Sequence, residues 1–209
     1  MLRVGLTGGI AAGKTTVGQM FVELGCHLID SDQITHRLFD PGQEVHDAVA
    51  RAFGPAVVAS DGTIARKILG DIVFKDPAAR EKLNSLVHPA IIRRQQEFLR
   101  EVEAKDPQGI GMVSAALMVE VGTYKNYDKV VVVSCSPEEQ KMRLKRRSGL
   151  SDEQVEARIR SQMPMEEKAS YGDYVIDTSG DLAATRRQVE EINSRLRESA
   201  ANTSGTHRS

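Results

Sequence analysis

The chain has 209 residues, 40% hydrophobic and 27% charged, with a formal net charge of −1. That is the balance of an ordinary soluble protein, long enough for one elaborated domain or two small ones. A general nucleic-acid binder would carry a basic excess, and the longest uncharged apolar stretch, Ile110 to Val119, is about half a membrane span, so neither partner is expected.

From the N-terminus, Leu2 to Thr7 reads as a short buried strand. Glycines cut this apolar run too short for a signal peptide, and a reducing cytoplasm is the expected location. The next residues, Gly8-Gly-Ile-Ala-Ala-Gly13-Lys14-Thr15, fit the pattern G-x-x-x-x-G-K-[ST]. Glycines let the backbone wrap phosphates with its amide N–H groups pointing inward, the lysine reaches the β- and γ-phosphates, and the hydroxyl takes Mg²⁺. Gly9, Ile10, Ala11, Ala12, Gly13, Lys14, Thr15 and Thr16 are therefore the expected ATP contacts, with Thr15 as the magnesium ligand. Val17, Met20, Phe21 and Leu24 recur at the spacing of one helix face. A helix from Lys14 would bring its positive end to the phosphates. A chain of this length matches the pattern by chance about once in a hundred, and the strand before it and helix after it are what the motif requires.

Cys26 to Ile29 reads as a second strand, followed by Asp30-Ser-Asp32. Ligands of open α/β sheets bind beyond the carboxyl ends of the strands. Both aspartates are thus expected on the rim that carries Lys14, with Asp32 just beyond a strand neighbouring the phosphate-loop strand. A carboxylate there can take the proton of an acceptor hydroxyl; alternatively, Asp32 caps a helix over Gln33 to Leu38. His36 follows on the same helix face, and His88 precedes Pro89 at an expected helix start; capping or surface roles suit both.

Residues 32–105 contain no convincing strand and look helical, broken at Asp40-Pro-Gly42, Gly54-Pro55, Asp61-Gly62 and Asp76-Pro77. They are expected to form a helical acceptor-binding insertion. Ile110 to Ala115, Lys129 to Ser134 and Tyr174 to Asp177 read as further strands. Continuous apolar strands alternating with helical patterns imply an α/β fold with a doubly wound parallel sheet. Residues 1–31 and 106–200 would form this core, with a lid at about 148–168 and a disordered tail at 201–209. Cys26 and Cys135 flank apolar runs and read as buried thiols; no Cys-x-x-Cys and no zinc spacing of histidines is present.

The guanine-reading Asn-Lys-x-Asp and the Leu-Ser-Gly-Gly-Gln signature are absent. Neither Ile110 to Ala115, ending in Ser114 and Ala115, nor Val130 to Val133, followed by Ser134 and Cys135, supplies the aspartate that hydrolytic phosphate-loop proteins use for Mg²⁺. Those absences, with the helical insertion and a basic lid, favour a small-molecule kinase. Arg143, Lys145, Arg146 and Arg147 cluster at a helix end. Guanidinium groups there can stabilise a transferring phosphoryl group, or they form a solvated basic helix end.

Several segments in this order resemble the dephospho-CoA kinase family from Leu2 to about Leu196. They are the Leu6-Thr-Gly-Gly-Ile10 phosphate loop, Asp30-Ser-Asp32 with His36, Asp61-Gly-Thr-Ile-Ala-Arg66, Val87-His-Pro89, Arg143 with Arg147, Gln162-Met-Pro164 and Asp173-Tyr-Val-Ile-Asp177. The resemblance implies a phosphate-loop core with a helical CoA domain and a lid. It also implies transfer of the ATP γ-phosphate to the ribose 3′-hydroxyl of dephospho-CoA. Asp32 would be the base, Lys14 and Arg143 would assist catalysis, and Arg147 would contact ATP. Thr7, Asp32, His36, Arg66 and His88 would contact dephospho-CoA. Beyond ATP and dephospho-CoA no obligate protein partner is expected. The chain departs from the family pattern at Ala116, in place of a proline, at Gly172, in place of an alanine, and at Thr178, in place of an asparagine. Two other readings stay open: a kinase for a nucleoside monophosphate or a sugar acid, and a non-catalytic nucleotide-binding adaptor.

Overall fold

The computed structural model describes residues 1–205. Along the chain the elements are β1 (Leu2–Gly8), α1 (Lys14–Glu23), β2 (His27–Asp30), α2 (Ser31–Leu38), α3 (Glu44–Phe53), α4 (Arg66–Lys75) and α5 (Pro77–Lys105). They continue with β3 (Ile110–Ser114), β4 (Lys129–Ser134), α6 (Pro137–Ser148), α7 (Asp152–Arg160), α8 (Met165–Ala169), β5 (Tyr174–Asp177) and α9 (Leu182–Gly205). The chain divides into two compact units, one of residues 1–30 with 99–209 and one of residues 31–98.

The first unit holds a five-stranded sheet in the order β2-β3-β1-β4-β5, every pairing parallel. Burial explains the order. All five residues of β3 are buried, as are six of seven in β1 and four of six in β4. Strands apolar on both faces belong in the interior of a parallel sheet, where helices cover them. All four residues of β2 are half-buried, which suits an edge. For the same reason the expected adjacency is corrected: β2 pairs with β3, Asp30 opposite Ser114, and β3 lies between β2 and the phosphate-loop strand.

Helix α1 buries Val17, Met20 and Phe21 in a core that includes Leu2, Leu6 and Met112 of the sheet and Val189, Ile192 and Leu196 of α9. Gly18 has no room for a side chain, since a Cβ there would lie 2.8 Å from Leu28 Cδ2. Helix α9 runs to Gly205, so the described part of the expected disordered tail, 201–205, continues the helix; residues 206–209 lie outside the described residues.

The second unit is helical, with a small aliphatic core of Ile34, Leu38, Val45, Val49, Val57, Ile64 and Leu69. Its first helix begins at Ser31, so Asp32 lies inside the first turn. It is not the residue preceding the helix, and the capping reading of Asp32 is corrected accordingly. The expected helix start at His88 is also corrected. Helix α5 runs through Pro89 and begins at Pro77, where Asp76 accepts hydrogen bonds from the amides of Ala78 and Ala79 at 2.8 and 3.2 Å. An aspartate cap with proline at the first helical position is a strong start signal. An interior proline deletes a single helical hydrogen bond, a local loss that this long helix spans.

Candidate active site

The phosphate loop spans the turn from β1 into α1. Its backbone needs left-handed conformations at Ala11 (φ 59°) and Gly13 (φ 90°). Glycine adopts this region without penalty, whereas alanine there costs roughly 1–2 kcal/mol. Gly8 and Gly9 meet a steric demand instead: a Cβ at Gly8 would lie 2.5 Å from the Val133 carbonyl oxygen, and one at Gly9 2.4 Å from Met165 Cε. The first amides of a helix have no intrahelical acceptor, and the N-terminus of α1, at Lys14, faces the end of the loop with the positive end of its dipole.

Lys14 is only 9% exposed. Its ammonium donates to Ser114 Oγ at 2.6 Å and lies 3.8 Å from Asp30 Oδ2. A serine ending β3 and an aspartate ending β2 thus hold the lysine at the carboxyl rim of the sheet. Thr15 and Thr16 are exposed in the first turn of α1. Thr7 is fully buried and donates its hydroxyl to the Ala116 carbonyl at 3.3 Å.

The segment between β4 and β5 touches the loop at several points. Ser136 caps α6, accepting from the Glu139 amide, with Pro137 at the first helical position and Gly149 in left-handed conformation at the end. Arg143, on this helix, donates through Nη1 to Thr178 Oγ1 at 2.9 Å and through Nη2 to the Thr178 carbonyl at 2.6 Å. Its Nε lies 3.0 Å from Glu139. The Thr178 hydroxyl in turn donates to the Ala12 carbonyl at 2.8 Å. Arg143 is therefore one residue removed from the phosphate loop. Arg147, one turn further on, is exposed, and Lys145 pairs with Asp152 at 2.7 Å. The basic run is thus divided, with Arg143 turned toward the loop and Lys145 given to the surface.

Lys168 is completely buried, 2.8 Å from Glu120 Oε1 and donating to the Ala116 carbonyl at 2.8 Å. Thr178 and Ala116, both departures from the family pattern, are therefore structural nodes here. Gly172 has little space for a side chain: a Cβ would lie 2.8 Å from Val132 Cγ2 and 2.9 Å from the Tyr174 carbonyl oxygen. Both cysteines are buried. Burial pushes the Cys26 thiol up to about 11 and raises that of Cys135, so neither is a poised nucleophile.

Asp32, His36, Arg66 and His88 belong to the second unit. Asp32 and His36 are exposed one turn apart on α2. Arg66, at the start of α4, donates to the His36 carbonyl at 3.1 Å. His88 is exposed on α5.

Comparison with known proteins decides the family. A family model described as dephospho-CoA kinase matches residues 2–184. The chain belongs to the dephospho-CoA kinase family. It is 42% identical to the dephospho-CoA kinase of Aquifex aeolicus over 92% of this chain and 96% of that one. A crystal structure from Thermus thermophilus superposes with a TM-score of 0.81 at 31% identity, covering 93% of this chain and 97% of the other. The dephospho-CoA kinase from Campylobacter jejuni gives 0.70 at 28% identity, with coverage of 94% and 98%. The fold expected from the sequence, an α/β phosphate-loop kinase, is that of these proteins.

The dephospho-CoA kinase motifs in the sequence assign no role to Ser114, Gln140, Gln162, Glu120 or Lys168. Ser114 has a signal: it ends an apolar strand at the level where Asp30 ends another. Gln162 stands within the Gln-Met-Pro segment. Nothing local marks Glu120 as the partner of Lys168, 48 residues away.

Proposed function

We propose that this chain is an ATP-dependent kinase that transfers the γ-phosphate of ATP to the ribose 3′-hydroxyl of dephospho-CoA, giving CoA and ADP. The observation that carries the reading is the extent of the family match. It runs from the phosphate loop through the helical unit to α9, residues 2–184, whereas the phosphate loop alone is common to many nucleotide-binding families.

The geometry supports the following roles. The loop amides and the α1 N-terminus cradle the phosphates, and Lys14, held by Ser114 and Asp30, is supplied as a fixed charge. Because the lysine is already oriented, little reorganisation is needed when charge develops on the phosphoryl group. Arg143 has three of its five N–H donors engaged by Thr178 and Glu139 and two left for a phosphate oxygen. Asp32, exposed in the first turn of α2, would take the proton of the acceptor hydroxyl and aim its oxygen. Arg147 would contact ATP, and His36, Arg66 and His88 would contact the acceptor; Thr7, fully buried with its hydroxyl on the Ala116 carbonyl, would support the site from behind.

Magnesium fits this donor set. No group of three or more His, Cys, Asp or Glu able to hold a metal occurs among the described residues. A hard cation that keeps several waters and binds phosphate oxygens suits a site offering the Thr15 hydroxyl. When bound, it would neutralise charge on the β- and γ-phosphates. We place the enzyme in the cytoplasm, in keeping with two reduced, buried cysteines.

Mass spectrometry of dephospho-CoA incubated with protein, ATP and Mg²⁺ tests the reading. Gain of one phosphoryl group at the ribose is expected, with nucleoside monophosphates and sugar acids unmodified. Phosphorylation of one of those acceptors instead would assign a different small-molecule kinase, and ATP binding without transfer would assign an adaptor.

A further inference from the structure

One residue of the phosphate loop is gripped by side chains on both of its polar backbone groups. The Ile10 amide donates to Gln162 Oε1 at 2.8 Å, and the Ile10 carbonyl accepts from Gln140 Nε2 at 2.9 Å. The orientations of the two amides follow from their partners. A backbone N–H can only donate and a carbonyl can only accept, so Gln162 presents oxygen and Gln140 presents nitrogen. The two glutamines come from different places, Gln140 from the buried face of α6 and Gln162 from the turn after α7. Met165 and Gln140 close over Gly9, where an added Cβ would lie 2.4 Å from Met165 Cε and 2.9 Å from Gln140 Nε2.

The peptide that Gln140 holds leads directly into Ala11. That residue has a positive φ without being glycine, the kind of conformation that persists only where its surroundings over-determine it. In a trans peptide the C=O and N–H point in opposite directions. Anchoring the Ile10 carbonyl on α6 therefore turns the Ala11 N–H the opposite way, away from α6. The preceding peptide is equally constrained: the Gly9 carbonyl accepts from the Ala12 amide at 3.1 Å while its N–H, that of Ile10, is taken by Gln162.

We propose that Gln140 and Gln162 are positioning residues that lock the Ile10 peptides and thereby present the Ala11 amide to the nucleotide phosphates. The proposal rests on the reading of this loop as the ATP site. Helix α6 then reaches the loop at two carbonyls, Ile10 through Gln140 and Ala12 through Arg143 and Thr178. The helix that carries the arginine also sets the shape of the loop the arginine serves.

The opposite chemical roles of the two glutamines give a specific test. ATP affinity by titration calorimetry, kcat and KM for ATP, and melting temperature are measured for the full chain and for Gln140→Ala, Gln140→Glu, Gln162→Ala and Gln162→Glu. A carboxylate accepts but does not donate, so Gln162→Glu should restore what Gln162→Ala loses. At Gln140 glutamate faces a carbonyl with no proton to give, so neither variant should recover. Leaving a polar backbone group without its partner should weaken ATP binding roughly ten- to a hundredfold, seen mainly in KM. Both glutamate variants add the same charge beside the loop, so that charge does not explain a difference between them. Equal behaviour of the two glutamate variants, or changes in melting temperature with ATP affinity intact, would overturn the proposal. Wild-type protein that fails to bind ATP in the same titration would overturn the ATP-site reading with it.

Discussion

The phosphate-loop unit and the helical unit of residues 31–98 handle polar groups in opposite ways. Around the loop, Thr7, Lys14, Ser114, Gln140, Lys168 and Thr178 are all buried, and each bonds to another of them, to the loop or to an adjoining carbonyl. In the helical unit Ser31 is the one buried polar residue among those described. Most of its other polar contacts, such as Arg93 with Glu44, Arg94 with Glu97 and Lys82 with the Ala52 carbonyl, lie at the surface, and the His46 contact with the Gly62 carbonyl is part-buried. Large apolar side chains are exposed there too, Phe74 most of all at 69%. A buried polar group is costly unless fully partnered, so a network of them has one arrangement. That suits a loop whose amides must meet phosphates in fixed directions. The proposed role of the helical unit in binding the acceptor would need side chains still able to contact a ligand, and an aliphatic core with a polar surface supplies them.

The largest expected effect is at Lys14. Lys14→Ala should lower turnover by about a thousandfold or more, the scale on which preorganised charge acts in phosphoryl transfer. A thermal melt beside the activity assay should show the fold intact. Near-normal turnover would remove the charge-placement role given to the buried network. On the other side of the comparison, Asp32→Asn should lower turnover by at least about a hundredfold, as loss of a general base does. ATP affinity and melting temperature should stay nearly unchanged, because Asp32 is exposed on α2. Retained activity would move the base to Asp30.

Ion pairs sharpen the contrast without any substrate. Glu120→Ala should destabilise the protein by about 2 kcal/mol, less than a fully buried pair would lose because Glu120 keeps some solvent contact. It leaves Lys168 at 0% exposure without its carboxylate. Glu44→Ala, which removes the exposed partner of Arg93, should cost under about 1 kcal/mol. Chemical denaturation of both variants checks this, and equal losses would erase the distinction between the two units.

The smallest effect concerns His46. Its ring lies 2.9 Å from the Asp47 carboxylate and 2.8 Å from the Gly62 carbonyl. The Asp47 contact first, and then the Gly62 carbonyl, raise its pKa above the ordinary histidine value. Because the folded value is raised, the protonated ring's contribution is fully present below the unfolded value of about 6.5. It is lost as pH rises through the folded value. Melting temperature should fall slightly from about pH 6 to about pH 8 in wild type and less in His46→Ala.

Much of this architecture is legible in the order of the amino acids. The strands Lys129–Ser134 and Tyr174–Asp177 have the same limits in the sequence pattern as in the fold, since apolar β-branched runs bounded by charge and turn residues leave little choice. The phosphate loop is legible because its backbone demands particular residues at particular spacings. The continuation of α5 from Pro77 through Pro89 is not. A proline inside a helical pattern reads locally as a break, and only packing along both sides of it decides otherwise.

By itself the sequence determined the strands, the nucleotide chemistry and the family, because all three are written in local patterns: apolar period, glycine spacing and short motifs in order. The tertiary structure alone decided which distant groups meet. It placed β3 between β1 and β2, put Ser114 on Lys14, joined Glu120 to Lys168 and set two glutamines on Ile10. A glutamine or glutamate in a polar helix or turn reads as surface whatever its fate. Its partner is chosen by the path of the folded chain, and no local pattern records that path.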